Sequence, residues 1–264
     1  MLENNSKCDQ QTFIKNLEEL SNLAWPSLQT KLYDGWFLRF SKGYTKRANS
    51  IHPLSPSTLE LQEKIAACEE LYQEKGMDVV YKMTATAFPK QLDHELEVRG
   101  YTAEGHTSVQ TLDFSRFEGQ LEKETIGENN IIILDTISED WLNDYCTLNT
   151  VSEKNKEIMR CMLGQISSST FYVTLVHEQQ TVACGLGVLE GDYIGLFDIV
   201  TASKFRKQGF GKRLVSALLQ AGEQHGAKHA YLQVVKENEP AVHLYASFGF
   251  KEAYQYWYRI KPST

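Results

Sequence analysis

Between Thr170 and Gly226 the sequence leaves the chain few choices. The run "TFYVTLVHEQQTVACGLGVLEGDYIGLFDIVT", 170–201, resolves into three strands separated by turn residues. A basic, glycine-bearing stretch, "FRKQGFGKRL" from Phe205 to Leu214, follows directly. From Gly211 onward Leu214, Val215, Leu218 and Ala221 fall on one helical face that stops at Gly226. A glycine loop between a strand and a helix exposes backbone N–H groups where the positive end of the helix dipole also points, so it binds phosphate. Arg206, Lys207, Lys212 and Arg213 add charge there, and Gly209 and Gly211 let a phosphate approach the amides without a Cβ in the way.

The surrounding chain is acidic, with a formal net charge of -7 over 264 residues. No global positive field exists to hold a nucleic-acid backbone or an anionic membrane, so neither partner is expected. The amino terminus, "MLENNSKCDQQ", lacks the apolar core of a secretory signal, and no apolar run approaches the roughly 18 residues of a membrane span. A soluble, cytoplasmic protein is the expectation. Cys8, Cys68, Cys146, Cys161 and Cys184 are scattered with no C-x-x-C pair and read as reduced thiols. His225 and His229 are separated by the helix-ending Gly226 and no H-E-x-x-H occurs, so no metal site is expected.

Upstream, the pattern predicts a helix over 12–23 and strand material in "DGWFLRFSKG", broken by the prolines of "HPLSPS". A helix capped by Ser57 or Thr58 and ended by Gly76 follows, then the strand "MDVVYKMT", a helix ending at Gly100, and the strand "TSVQTLDF". The charged, aperiodic segment Ser115–Asn130 reads as a linker, dividing an accessory domain, 1–118, from a second domain, 128–264. Beyond it come the strand "IIILDT", helices in "SEDWLNDYCTLN" and "KNKEIMRCMLGQI", and, after the basic loop and its helix, the strand "AYLQVV", a helix with Pro240 in its first turn, and a closing strand "AYQYWYRI". "YQEKGMDVVYKMT" with its helix ending "LEVRGY" parallels "GEQHGAKHAYLQV" with its helix ending "YASFGF", which points to a weak internal duplication.

Spacing decides which phosphate the loop suits. One residue separates Gly209 from Gly211 and Arg213 follows Lys212, so it is not a nucleoside-triphosphate loop; Leu214 occupies the third glycine position of a dinucleotide loop. It does match R-x-x-G-x-G, in Arg206, Gly209 and Gly211. Together with Asn238, Ala241, Leu244, Tyr245, Gly249 and Phe250 in "ENEPAVHLYASFGF", that pattern resembles the GCN5-related N-acetyltransferase family over about 130–260. The resemblance implies an α/β, α+β-type fold with a mixed, strongly twisted sheet flanked by helices, preceded by an accessory domain to which the internal duplication would give a related fold. It further implies acetyl-coenzyme A as co-substrate, bound where the strands "YIGLFDIVT" and "AYLQVV" splay apart. The backbone of Ile199, Val200 and Thr201 would bond the pantetheine arm, and Arg206, Lys207, Gln208, Gly209, Phe210, Gly211 and Lys212 would cradle the pyrophosphate. Asn238 would fix the following helix and the cofactor, and Tyr245 is similar to the family's usual general acid.

The amine's general base does not transfer so simply. In many relatives it stands on the fourth strand, and the matching positions here are Gly195 and Phe197. Asp198 is one position out of phase and should point to the other face, unless a β-bulge re-aims it; without one, a water chain or a residue of the first half would take the proton. In the first half Leu96 stands where Tyr245 stands in the second, and no glycine loop precedes the helix at Leu59. That half would therefore shape the acceptor site or stabilise the other half. The expected activity is acetyl transfer to an amine, with a non-catalytic acyl-coenzyme A sensor or a longer acyl donor as alternatives. The acceptor stays open among polyamines, aminoglycoside-like amines, amino acids and protein amines, and the oligomeric state is not set by the sequence.

Overall fold

Strands of alternating burial separated by capped amphipathic helices set the architecture, seen in a computed structural model that describes residues 2–116 and 131–263. In chain order the elements are α1 (Leu2–Ala24), β1 (Gln29–Tyr33), β2 (Trp36–Phe40), β3 (Ile51–His52), α2 (Leu61–Gln73), β4 (Val79–Thr84), α3 (Leu92–Val98) and β5 (Thr102–Asp113). There follow β6 (Ile131–Leu134), α4 (Glu139–Leu148), α5 (Glu153–Leu163), β7 (Ser169–His177), β8 (Gln180–Glu190), β9 (Tyr193–Thr201), α6 (Phe210–Gln224), β10 (His229–Val235), α7 (Glu239–Ala246) and β11 (Lys251–Lys261). They make two compact units, one of 1–108 with 254–264 and one of 109–253. The sequence-based boundary falls between 118 and 128, and the proposed linker lies mostly at 117–130, outside the described residues.

In the first unit the strand order is β1-β2-β3-β4-β11-β5. β1, β2 and β3 run antiparallel in sequence, β3 and β4 are parallel across the α2 connection, and β11 pairs antiparallel with β4 from Tyr256↔Thr84 to Lys261↔Val79. Trp36, Leu38, Ile51, Ile65, Tyr72, Tyr81, Leu92 and Leu96 form the core between sheet and helices. The short β3 was not legible beside "HPLSPS", and β1 was not foreseen. The start of α2 also differs from expectation. Its N-cap is Glu60, whose carboxylate accepts from the N–H groups of Gln62 and Glu63. Ser57 and Thr58 are engaged elsewhere: both hydroxyls donate to the Asp34 carboxylate, at 2.5 and 2.8 Å.

The second unit has the order β5-β10-β9-β8-β7-β6, with the end of β5 as its outer strand. β6 through β9 are successively antiparallel, and β9 and β10 are parallel across α6. Leu214, Leu218 and Leu219 of α6 pack on Val173, Ile194, Leu196 and Leu232 of the sheet. Along the chain, α1 to β5 and α5 to β11 repeat one order: helix, three antiparallel strands, helix, parallel strand, helix, strand. In each unit, the place after the crossover strand is filled from the other half of the sequence, by β11 beside β4 and by the end of β5 beside β10.

The first unit buries an ion pair. Lys82 on β4 meets Glu18 of α1 at 2.7 Å, both side chains almost wholly excluded from solvent, and the Tyr254 hydroxyl donates to the same carboxylate at 2.7 Å. Removing one partner of such a pair strands a charge where it cannot be hydrated. Glu18→Ala is expected to destabilise the first unit by about 3–5 kcal/mol, read as a lowered denaturant midpoint; a loss under 1 kcal/mol would show that the pair is solvated.

Candidate active site

The site is built where β9 changes its alternation. Up to Leu196 it pairs with β10 in register, His229↔Tyr193 to Leu232↔Leu196, and there the ladder ends although β9 continues to Thr201 and β10 to Val235. On its other edge β9 pairs with β8, Leu186↔Phe197 and then Cys184↔Val200, so Asp198 and Ile199 together oppose Gly185. That two-against-one register is a β-bulge, and Asp198 sits in it with φ 51°. Ile194, Leu196 and Ile199 pack into the α6 core. Asp198 turns to the opposite side, where the Tyr145 hydroxyl of α4 lies 3.2 Å from its Oδ1. Strict period-2 alternation would put Asp198 on the other face; the β-bulge that the sequence reading allowed for is present and re-aims it.

Beyond the bulge the chain makes a single 3-10 turn, Ser203–Phe205, and enters α6. Lys207 and Gly209 both have positive φ, 61° and 87°, a conformation that suits glycine and lets the chain reverse into the helix. Gly209 is the N-cap of α6 and makes no side-chain cap hydrogen bond. The first-turn amides of Phe210, Gly211 and Lys212 precede the first intrahelical bond, from Arg213 N to Gly209 O at 3.0 Å. Arg206, Lys207, Gln208 and Lys212 are exposed around them. Phe210 differs: its ring is buried, 5.8 Å from Phe205 and 5.2 Å from His177, so it anchors the loop and offers only its backbone. Arg206 Nε donates to Thr201 O at 3.3 Å, tying the loop to the end of β9.

α7 delivers the phenol. Asn238 caps it by accepting from Ala241 N–H, and Pro240 occupies its first turn. Tyr245 is buried, its ring edge-on to Phe250 at 6.0 Å, and burial pushes its hydroxyl up to about 12, so it is fully protonated at neutral pH. A Cβ on Gly211 would touch both Leu244 Cδ2 and Thr201 Oγ1 at 3.4 Å. The start of α6, the end of β9 and the residue before Tyr245 therefore converge on Gly211, which brings the two separate sequence motifs together.

The wall on the α4 side was not singled out from sequence. Trp141 stacks parallel to Tyr145 at 5.4 Å, and Asn149 Nδ2 donates to the Tyr145 hydroxyl at 2.9 Å. Trp141, Tyr145 and Asn149 recur every four residues, which in hindsight was the available signal. Gly195 belongs to the same face, between the rings of Phe197 and Tyr231. Among the described residues no group of three or more His, Cys, Asp or Glu is placed to hold a metal, and no helix is long and apolar enough to cross a membrane.

The strand parting, the uncapped helix start and the buried phenol define a GCN5-related N-acetyltransferase fold, and comparison with known proteins places the chain in that family. The family described as "Probable histone acetyltransferase Rv0428c C-terminal" matches residues 12–259, so the chain belongs to it. It is 31% identical over 259 residues to the Uncharacterized N-acetyltransferase YobR of Bacillus subtilis (strain 168), covering 94% of this chain and 98% of that one. It is similar in fold to a GCN5-related N-acetyltransferase from Kribbella flavida, with a TM-score of 0.68, 13% identity and coverage of 95% and 96%. A tandem protein of the same family from the clavulanic acid biosynthesis pathway gives a TM-score of 0.63 at 12% identity, covering 77% of this chain and 70% of that one. Family membership supports an acyl transfer activity for the chain.

Gly195 makes a sharp test of the packing on this face. A Cβ there would lie 2.5 Å from Phe197 Cε2 and 2.6 Å from the Tyr231 ring, inside any real contact. Gly195→Ala is expected to cost about 1–3 kcal/mol by overpacking, measured as a fall in thermal midpoint; an unchanged midpoint would mean that both rings move aside freely.

Proposed function

We propose that the protein transfers the acetyl group of acetyl-coenzyme A to an amine, with a small molecule favoured as acceptor. The observation that carries this reading is the coincidence of two openings: β9 loses its β10 partner at Leu196, and the α6 start beside it lacks a side-chain cap. An extended pantetheine arm can take up the strand-like hydrogen bonding at Ile199, Val200 and Thr201, as an added strand does. The pyrophosphate then meets the amides of the segment from Arg206 to Lys212, with the helix dipole behind them. The family description and the name of the Bacillus relative, both acetyltransferases, agree with this donor.

The acetyl transfer needs one bond made and one broken. The amine nitrogen attacks the thioester carbonyl, the C–S bond breaks, and the departing sulfur takes a proton from the Tyr245 hydroxyl. Burial keeps that hydroxyl protonated until the thiolate forms, which is the state an acid must hold in reserve. Asp198, turned out by the bulge, is the carboxylate that receives a proton from the incoming amine. Orientation of donor and acceptor in the parted strands supplies the rest of the acceleration.

Thiol release from acetyl-coenzyme A in the presence of a panel of amines tests the reading. Tyr245→Phe is expected to lower kcat by roughly 10²–10⁴-fold with little change in KM for acetyl-coenzyme A. Gly209→Asp sets a carboxylate against the pyrophosphate and should raise that KM at least tenfold instead. Binding of acetyl-coenzyme A without thiol release for any amine would establish a sensor and overturn the enzymatic reading.

A further inference from the structure

The arc from Arg206 to Gly209 is exposed throughout, and two of its residues, Lys207 and Gly209, have positive φ. A lysine in that conformation is uncommon and is held there by its surroundings. Aromatic posts stand at both ends of the arc: Phe205, half-buried, and Phe210, buried. Their rings meet edge to face, 5.8 Å apart. His177 touches both, at 5.9 Å from Phe205 and 5.2 Å from Phe210, so three rings close the arc at its base.

Period 2 along β7 puts His177 at that place. Phe171, Val173 and Leu175 pack into the α6 core, and His177 is next in the same column, where β7 reaches the start of α6. It pairs with Gln180 to close the β7–β8 hairpin across the two-residue turn Glu178–Gln179, whose φ values of 49° and 62° suit a type I′ turn. Gln180 reaches the same segment: its Oε1 accepts from Lys204 Nζ at 2.7 Å, and that ammonium lies 4.9 Å over the Phe205 ring. A third tie comes from β8. The register passes over Val182 between Leu175↔Ala183 and Val176↔Thr181, and the Val182 carbonyl accepts from Ala202 N–H at 2.8 Å. The imidazole is held by rings rather than by charge, since its Nε2 lies 3.9 Å from the exposed Glu178 carboxylate.

We infer that His177 is a positioning residue for the donor: with Phe205 and Phe210 it clasps the two ends of the 206–209 arc and holds it in the shape that receives a pyrophosphate. Gln180 supports the same arc through Lys204, whose carbonyl also accepts from Gln208 Nε2 at 3.1 Å. This rests on the acetyl-coenzyme A reading above. Without the clasp the arc samples other shapes, and the apparent affinity for the donor falls with the fraction of molecules still in the binding shape. The role requires the ring and not its protonation, so a phenyl group at 177 serves equally.

Calorimetric titration of the full chain with coenzyme A tests the clasp without knowing the acceptor. His177→Ala should weaken binding about 3–10-fold, the scale of losing two aromatic contacts. His177→Gln should lose as much, whereas His177→Phe should stay within about twofold of the unaltered chain. A residue that only stabilised the fold would lower the unliganded thermal midpoint and leave the affinity of the folded chain unchanged. Unchanged affinity in His177→Ala, full affinity in His177→Gln, or a loss with His177→Phe as large as with His177→Ala overturns the role. Should His177→Ala fail to fold, Gln180→Ala cuts the exposed tie to Lys204 and is expected to weaken binding about twofold; unchanged affinity there overturns the proposal equally. Undetectable binding of coenzyme A by the unaltered chain overturns the acetyl-coenzyme A reading, and the clasp with it.

Discussion

The bulge opposite Gly185 is the constraint on which the second unit's site depends. One extra residue in β9 does three things at once: it ends the alternation, turns Asp198 toward α4, and bends the strand where its pairing with β10 has stopped. Gly185 is needed from the other side as well, because a Cβ there would stand 3.1 Å from Leu218 Cδ1 and 3.3 Å from Leu214 Cδ2 of α6. The close approach of α6 to the sheet and the irregularity in β9 thus meet at one residue. Since α6 is pinned by Leu214 and Leu218 in the core, its first turn is fixed at the end of β9.

Burial and exposure then divide the labour around that point. The rings that shape this region are inside: Tyr245, Phe210, Trp141 and Tyr145 are all buried. The groups suited to a charged, hydrated ligand are outside, from Arg206 through Gly209. Exposed loop cations of this kind contribute little to stability, and here they stand beside a helix start whose dipole end is positive.

The sequence pattern disclosed the second unit well because its signals were local and mutually reinforcing. The strands of 170–201, the glycine loop and the apolar face of α6 each follow from spacing, and they appear at those places. For Asp198 the sequence left two readings open, strict alternation or a re-aiming β-bulge, because a bulge shifts register without altering composition; the register on β8 shows the bulge. Tyr145 and Asn149 were missed because a tyrosine and an asparagine on an amphipathic helix look like core and cap until the facing strand is known. In the first unit, β3 is only two residues long and is held by its neighbours β2 and β4. Glu60 displaced Ser57 and Thr58 as the α2 cap because Asp34, distant in sequence, had already claimed both hydroxyls.

That last exchange also sets apart the two helix starts that the repeated order of elements would make equivalent. In the first unit the segment entering α2 occupies the same place in the element order as the glycine loop entering α6. Its amides are taken: Thr58 N and Leu59 N donate to the Asp34 carboxylate at 3.0 Å, and Gln62 N and Glu63 N donate to Glu60 at 2.7 and 3.1 Å. The Ser57 hydroxyl foremost, with these amides and Thr58, holds the Asp34 carboxyl far below the usual carboxylate range. Lys64, the nearby cation, is spent on Asp34 and on the Trp36 ring. Just past β3 the Pro53 carbonyl is engaged as well, accepting from Phe88 N–H at 2.9 Å. A phosphate arriving at α2 would meet two seated carboxylates, and a pantetheine arm would find the next carbonyl engaged. The first unit meets the first-turn amides of its helix with its own carboxylates, whereas α6 starts at Gly209, which offers no side-chain cap.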